Sequence, residues 1–173
     1  RLGNLTKNTP KPLLIIEKKK VFLDYLIQNL SRFGVKKILL LCNFKSGKFF
    51  QKYDKQTLFG IKITCTLDNK NSSGKMMAIK KNLHKIDKNF ILMNGDTFVD
   101  IDFKKYQFLV EKKKIKGLSI FLEKKIIKIK KNRYLIKTKK NRNYINSGIF
   151  YLDKNIIESL SPKNKDFDKE LIK

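Results

Sequence analysis

Two rhythms of apolar residues alternate along this chain. After a polar opening that runs into Leu13-Leu14-Ile15-Ile16, the segment VFLDYLIQNLSRF places Phe22, Leu23, Leu26, Ile27, Leu30 and Phe33 on one stripe at helical spacing. Gly34 follows as a helix stop. The run KKILLLC over 36–42 is apolar almost throughout, the pattern of a strand covered on both faces. Residues 46–57 read as a helix, GIKITCTL over 60–67 as the next strand, and Met76, Ile79, Leu83 and Ile86 as the buried stripe of another helix. NFILM over 89–93 is a third short strand, and it runs into Asn94-Gly95-Asp96. A helix over 101–114 and a strand over 117–123 complete this part.

Strands alternating with helices at this spacing predict βαβ units and a Rossmann-like, doubly wound α/β sheet with helices on both faces. From about residue 125 the pattern changes. IIKIKK, RYLIKTKK and YINSGIFYL are β-like pieces without helices between them, which predicts a small antiparallel appendage and a mixed sheet overall. Asp153 reads as the N-cap of a short helix ending near Leu160. At 173 residues the chain has the length of one domain. Its first element is a loop, whereas the first strand of a doubly wound sheet is commonly central and its following loop forms the phosphate site. The expectation is that a short strand and part of that loop precede residue 1, and that the sheet has a slot.

Charge changes the picture less than its size suggests. The net charge is +26, from 41 basic and 15 acidic residues distributed along the whole chain. Nucleic-acid binders usually gather such charge on one face or helix with stacking aromatics, and no such stripe is visible. Most of the lysines read as a solvated coat, with a general attraction for anions such as nucleotides and sugar phosphates. Cys42 and Cys65 each sit in an apolar strand run, as buried free thiols do, and no metal-ligand spacing is present. No apolar run approaches the roughly 20 residues of a membrane span, and no signal peptide is visible, so the cytoplasm is the default location. His84 lies in a lysine-rich helix and reads as a surface residue.

Three side chains carry candidate chemistry. Asp96 follows a buried strand, so its carboxylate should emerge at the carboxyl edge of the sheet, where open α/β folds bind ligands. A carboxylate there suits Mg²⁺, which prefers one or two protein carboxylates plus phosphate oxygens; the plain alternative is a solvated turn residue. Lys11 lies between Pro10 and Pro12, which should hold its backbone extended or in polyproline geometry and so aim its ammonium. Arg1 offers a bidentate fork to phosphate oxygens. Phosphoryl and nucleotidyl transfer ask chiefly for cations placed in this way. Ser72, Ser73 and Gly74 precede a helix and could offer an anion or hydroxyl site there, or simply an N-cap with Met76 facing the core.

The combination R-L-x-x-L-T-x-x-x-P-K-P-L-L, an αβ pattern and a strand ending in Gly95-Asp96 resembles the sugar-phosphate nucleotidyltransferase family along nearly the whole chain. NGDTFVDIDF and INSGIFYL resemble in particular its heptose 1-phosphate and mannose-1-phosphate guanylyltransferase branch. The resemblance implies a single catalytic domain over 1–173, truncated at both ends and as it stands inactive. It implies that Arg1 closes a glycine-rich nucleotide loop, that Lys11 neutralises the reacting phosphates and that Asp96 binds Mg²⁺. It implies nucleotide contacts from Leu2, Ser73, Gly74, Gly95 and Asp96. It also implies sugar-phosphate contacts from Lys137, Asn146 and Gly148, with Ser147 replacing a small residue. The substrates implied are an NTP and a sugar 1-phosphate, for surface polysaccharide or lipopolysaccharide precursors, and a homo-oligomer is compatible with it. Three positions depart from the family pattern. Gly74-Lys75-Met76-Met77-Ala78 replaces a run of small residues, Ile136 replaces a sugar-binding Glu, and an R-Y-G segment is deleted near 123–133. Two rival readings follow: a degenerate nucleotide-binding relative without catalysis and, ranked last, a basic nucleic-acid-binding module.

Overall fold

The computed structural model describes residues 2–67, 75–113, 117–123 and 144–160. The pieces IIKIKK and RYLIKTKK, the deleted R-Y-G position and the last thirteen residues lie outside them. The opening loop carries two single 3-10 turns, Gly3–Thr6 and Lys11–Leu13. It continues into a hairpin that the sequence pattern does not announce, β1 (Ile15–Glu17) with β2 (Lys20–Val21). The two tip residues, Lys18 and Lys19, have φ of 40° and 71°. A two-residue hairpin tip calls for positive φ, and its usual signal is Asn-Gly, so lysines there hide the turn.

Helix α1 (Phe22–Ser31) follows at once, with the Asp24 carboxylate accepting the Val21 N–H at 3.2 Å. Its expected stripe is the buried one: Leu23, Leu26, Ile27 and Leu30 are all in the core, and Gly34 beyond it has φ of 79°. Strand β3 (Lys37–Cys42) pairs in parallel with β5 (Ile61–Leu67), from Lys37 opposite Lys62 to Cys42 opposite Leu67. The helix expected over 46–57 is shorter. Helix α2 (Ser46–Tyr53) stops where Asp54 turns extended, and β4 (Thr57–Leu58) adds antiparallel to β5. Asp54 ends the helix because its carboxylate accepts the Cys65 N–H at 2.8 Å and ties the chain to β5. Cys42 and Cys65 are buried free thiols. Burial, reinforced by Cys65 alongside, pushes the Cys42 thiol up to about 12.

Helix α3 (Lys75–Lys81) buries Met76 and Ile79, so Met76 faces the core. His84 lies exposed in the 3-10 turn that follows. Strand β6 (Asn89–Met93), helix α4 (Phe103–Lys113), strand β7 (Gly117–Glu123), strand β8 (Tyr144–Asp153) and helix α5 (Lys154–Ser159) complete the described chain. Asp153 caps α5, as expected, by accepting the Asn155 N–H at 2.8 Å. The run YINSGIFYL, grouped by sequence with an appendage, instead lies within the sheet. It forms β8, between β6 and β7 and antiparallel to both. Its alternation explains this place, because Ile149 feeds one core while Phe150 and Leu152 feed another.

Those two cores define the layers. One joins α1, Tyr53 of α2, Phe103 of α4 and the inner face of β5; the other joins α3 and α5. Strands β3 and β6 each contribute to both: Ile38, Leu40, Ile91 and Met93 to the first, and Leu41, Phe90 and Leu92 to the second. The sheet is nevertheless two three-stranded pieces, ordered β4-β5-β3 and β6-β8-β7, with no pairing between β3 and β6.

Candidate active site

The carboxyl ends of β3 and β6 open on a common cleft of about 350 Å³. It is lined from one side by Asn43, Phe44 and Phe49, and from the other by Asn94, Gly95 and Asp96. Pro10, Lys11 and Pro12 of the opening loop close it. The Lys11 ammonium lies 3.3 Å from a carboxylate oxygen of Asp96 although 85 residues separate them. Both side chains are a little under half exposed, at 45% and 43%. An ion pair so open to water adds at most about 1 kcal/mol to stability.

The opening loop reaches this position by a different backbone from the one expected. Pro10 is extended, with φ −56° and ψ 142°, but Lys11 opens a 3-10 turn in place of a polyproline stretch. Two hydrogen bonds make the turn: Leu13 N–H to the Pro10 carbonyl at 2.9 Å and Leu14 N–H to the Lys11 carbonyl at 3.1 Å. Pro12 fits there because the second residue of a turn has no partner for an N–H in any case. Lys48 of α2 steadies the loop from outside by donating to the Asn8 carbonyl at 2.9 Å. Gly95 packs against Pro12: a Cβ built on it would meet the proline ring at 3.5 Å, an ordinary contact.

The Asn146-Ser147-Gly148 segment is a bulge in β8. Opposite β7, Ile120 faces Ile149 but the next residue, Phe121, faces Asn146, so Ser147 and Gly148 are extra. Gly148 takes φ of 70° to make the kink. The side chains on either side satisfy the displaced amides: Asn146 Oδ1 accepts the Gly148 N–H at 2.9 Å and Ser147 Oγ accepts the Ile149 N–H at 3.2 Å. On the β6 side the Asn94 N–H donates to the Gly148 carbonyl at 3.2 Å. The Asn94 side chain occupies the space that a Cβ on residue 148 would need. Asn94 Oδ1 in turn accepts from the Lys75 ammonium at 3.2 Å. The bulge, the end of β6 and the start of α3 are thus joined through Asn94.

Lys11, Gly95 and Asp96 are brought together, with Asn146 and Gly148 linked to them through Asn94. Leu2 is half exposed and is not among the cleft-lining residues. Arg1, Ser73, Gly74 and Lys137 lie outside the described residues. Asn94 and Lys75 were not singled out as site residues by sequence. Asn94 was visible only as part of a turn, and Lys75 only as a departure from a small-residue pattern.

The donor set at Asp96 bears on Mg²⁺. Among the described residues no group of three or more His, Cys, Asp or Glu converges. Asp96 supplies one carboxylate at an open cleft, which suits a cation shared with substrate phosphate oxygens and not one caged by protein. Among the described residues, no helix is long and apolar enough to cross a membrane.

The nucleotidyl transferase family model matches residues 1–173. The chain is 29% identical over 172 residues to the D-glycero-alpha-D-manno-heptose 1-phosphate guanylyltransferase of Campylobacter jejuni, spanning 95% of this chain and 76% of that protein. It is 23% identical over 199 residues to the mannose-1-phosphate guanyltransferase of Yarrowia lipolytica, spanning 98% of this chain and 51% of the relative. The crystal structure of HddC from Yersinia pseudotuberculosis complexed with GMP-PN superposes with a TM-score of 0.71 at 25% identity, covering 96% of this chain and 76% of that one. The mixed α/β sheet expected from the sequence is that of the nucleotide-diphospho-sugar transferases.

Proposed function

From this chain's place in the nucleotidyl transferase family, to which it belongs over its full 173 residues, we propose that the protein joins a sugar 1-phosphate to a nucleoside triphosphate at the Lys11–Asp96 cleft. A phosphate oxygen of the sugar 1-phosphate attacks the α-phosphorus of the triphosphate. The bond from that phosphorus to the bridging oxygen breaks, and pyrophosphate leaves with the electron pair. Lys11 offsets the charge that grows on the phosphate oxygens, as fixed cations do when negative charge develops. Asp96 would hold Mg²⁺, which when bound supplies further positive charge to the phosphates. Asn146 and Gly148, linked to the cleft through Asn94, are the proposed sugar-side contacts, and Arg1, Ser73, Gly74 and Lys137 are the proposed contacts from outside the described residues. No covalent intermediate on the protein is needed, because positioning and electrostatics supply most of the acceleration in such reactions.

The observation that carries this reading is the 3.3 Å approach of Lys11 to Asp96 at the rim where β3 and β6 end. The similarity to heptose and mannose 1-phosphate guanylyltransferases supports GTP and a manno-configured sugar phosphate as first substrates to try, and a role in surface glycan precursors. The test is pyrophosphate release by the whole protein, over a panel of four NTPs and the corresponding sugar 1-phosphates with Mg²⁺. Release is expected with one pair above all others, and Lys11→Ala should slow it by about 10²–10³-fold. Normal turnover in that variant would remove Lys11 from the reaction. A second reading has a specific observation behind it: Met76 is in the core and Lys75 engages Asn94 where small residues were expected. Tight Mg·NTP binding with no pyrophosphate from any sugar phosphate would select that non-catalytic, nucleotide-binding role.

A further inference from the structure

Among the described residues, Asp96 is the only acidic side chain that lines the cleft at the ends of β3 and β6. Its Oδ2 already holds a cation, the Lys11 ammonium at 3.3 Å. Mg²⁺ would take a carboxylate oxygen at about 2.1 Å. With both on the same oxygen, the two cations are no more than about 5 Å apart. At that distance a single charge repels a double one enough to weaken its binding roughly fourfold in physiological salt, and about fifteenfold without screening. The Lys11 ammonium and a bare divalent cation are therefore competitors for one carboxylate.

The pair opens easily. Both side chains are a little under half exposed, and an ion pair of that kind shifts an equilibrium by no more than about fivefold. Opening it asks only that the lysine side chain swing, because the Lys11 backbone is fixed by the hydrogen bonds of the Lys11–Leu13 turn. A polyphosphate offers replacements to both partners. Its anionic oxygens accept charge-assisted hydrogen bonds from an ammonium. Mg²⁺ in turn favours a site made of one or two carboxylates and phosphate oxygens. When metal and polyphosphate arrive together, Asp96 regains a cation and Lys11 regains an anion. When either arrives alone, one of the two is left without its partner.

We propose that Lys11 is also a selectivity residue: through its pair with Asp96 it makes the cleft reject bare divalent cations and favour a cation that arrives on a polyphosphate. This deepens the proposed function and rests on its assignment of Mg²⁺ to Asp96.

The test follows the amide NMR shifts of Gly95 and Asp96 in the isotope-labelled whole protein at fixed ionic strength. The titrants are Mg²⁺ alone and the Mg²⁺ complex of inorganic tripolyphosphate, which needs no choice of base or sugar. Lys11→Met should tighten Mg²⁺ alone by at least about fourfold and weaken the complex by at least about tenfold, from the loss of one charge-assisted hydrogen bond. Lys11→Arg, which keeps a cation on Asp96, should stay within about twofold of the natural chain for Mg²⁺ alone. Lys75→Met removes an ammonium that meets Asn94 in the same cleft and not Asp96, so it too should leave Mg²⁺ alone within about twofold. The proposal is overturned if Lys11→Met does not tighten Mg²⁺, or if it tightens Mg²⁺ and the complex alike. It is also overturned if Lys75→Met or Lys11→Arg tightens Mg²⁺ as much as Lys11→Met does, since a general field or a steric effect would then explain the result. Asp96→Asn separates the two levels of the account. Mg²⁺ shifts that persist in that variant remove the metal from Asp96 and overturn both readings, whereas their loss there with no gain in Lys11→Met overturns this inference alone.

Discussion

A methyl group at Gly148 would collide with the Asn94 side chain, and the backbone there holds φ of 70°. Each fact alone disfavours any other residue, and together they make Gly148→Ala costly. The left-handed backbone costs about 1–2 kcal/mol for a residue with a Cβ, and the displaced asparagine adds a steric cost of similar size. In a domain of this length about 2 kcal/mol lowers Tm by roughly 4–8 °C. Calorimetry of Gly148→Ala should show at least that fall, and an unchanged Tm would mean that the bulge relaxes freely. Asn94 would be pushed off its contact with Lys75 in the same variant, so substrate affinity should suffer beyond what lost stability explains. Lys11 and Asp96 are different in kind. Their half-exposed pair contributes little to folding, so substitutions there should show in chemistry and not in Tm.

The N-terminus of α1 depends on one carboxylate. Asp24 Oδ1 accepts the Tyr53 hydroxyl at 2.7 Å, and Oδ2 accepts the Lys52 ammonium at 2.8 Å as well as the Val21 N–H. Burial pushes its pKa up, but the hydrogen bonds from Lys52, Tyr53 and Val21 outweigh that and leave it below its ordinary value of 3.8. A carboxyl depressed by folding stabilises at pH above the unfolded value and loses that contribution as pH falls through the folded one. Asp24→Asn should therefore lower Tm at pH 7, and the difference from the natural chain should shrink as the pH drops below about 4. A constant difference across that range would show that the lowered pKa is not what α1 draws on. Elements of this sort were legible where the signal is local. The α1 stripe, the apolar strands, the Asp153 cap and the emergence of Asp96 at a strand end all follow from spacing along the chain. What was not legible depends on partners far away. The Asn146-Ser147-Gly148 bulge is a shift in the pairing of β8 with β7, between Ile120 and Phe121, a strand that lies far away in sequence. The role of Asn94 follows from that bulge. The 3-10 turn at Lys11 and the lysine-tipped hairpin escaped because local rules favour other conformations for those residues.

At the scale of the whole molecule, a protein of net charge +26 presents one cleft in which a lysine and an aspartate from distant stretches meet. The general positive field draws anions toward the surface, but a field cannot align an attacking oxygen with a leaving group. The proposed reaction places that alignment at the rim where the opening loop closes the cleft at the carboxyl ends of β3 and β6. Of the departures from family pattern, Met76 is buried in the core and Lys75 donates to Asn94, which lines the cleft. The most direct measurement is Mg²⁺-dependent pyrophosphate release by the whole protein, compared with its Asp96→Asn variant at equal Tm. The account predicts a fall of at least about 10²-fold with the fold unchanged, by analogy with removal of a single transition-state contact. Equal rates in the two proteins would contradict it.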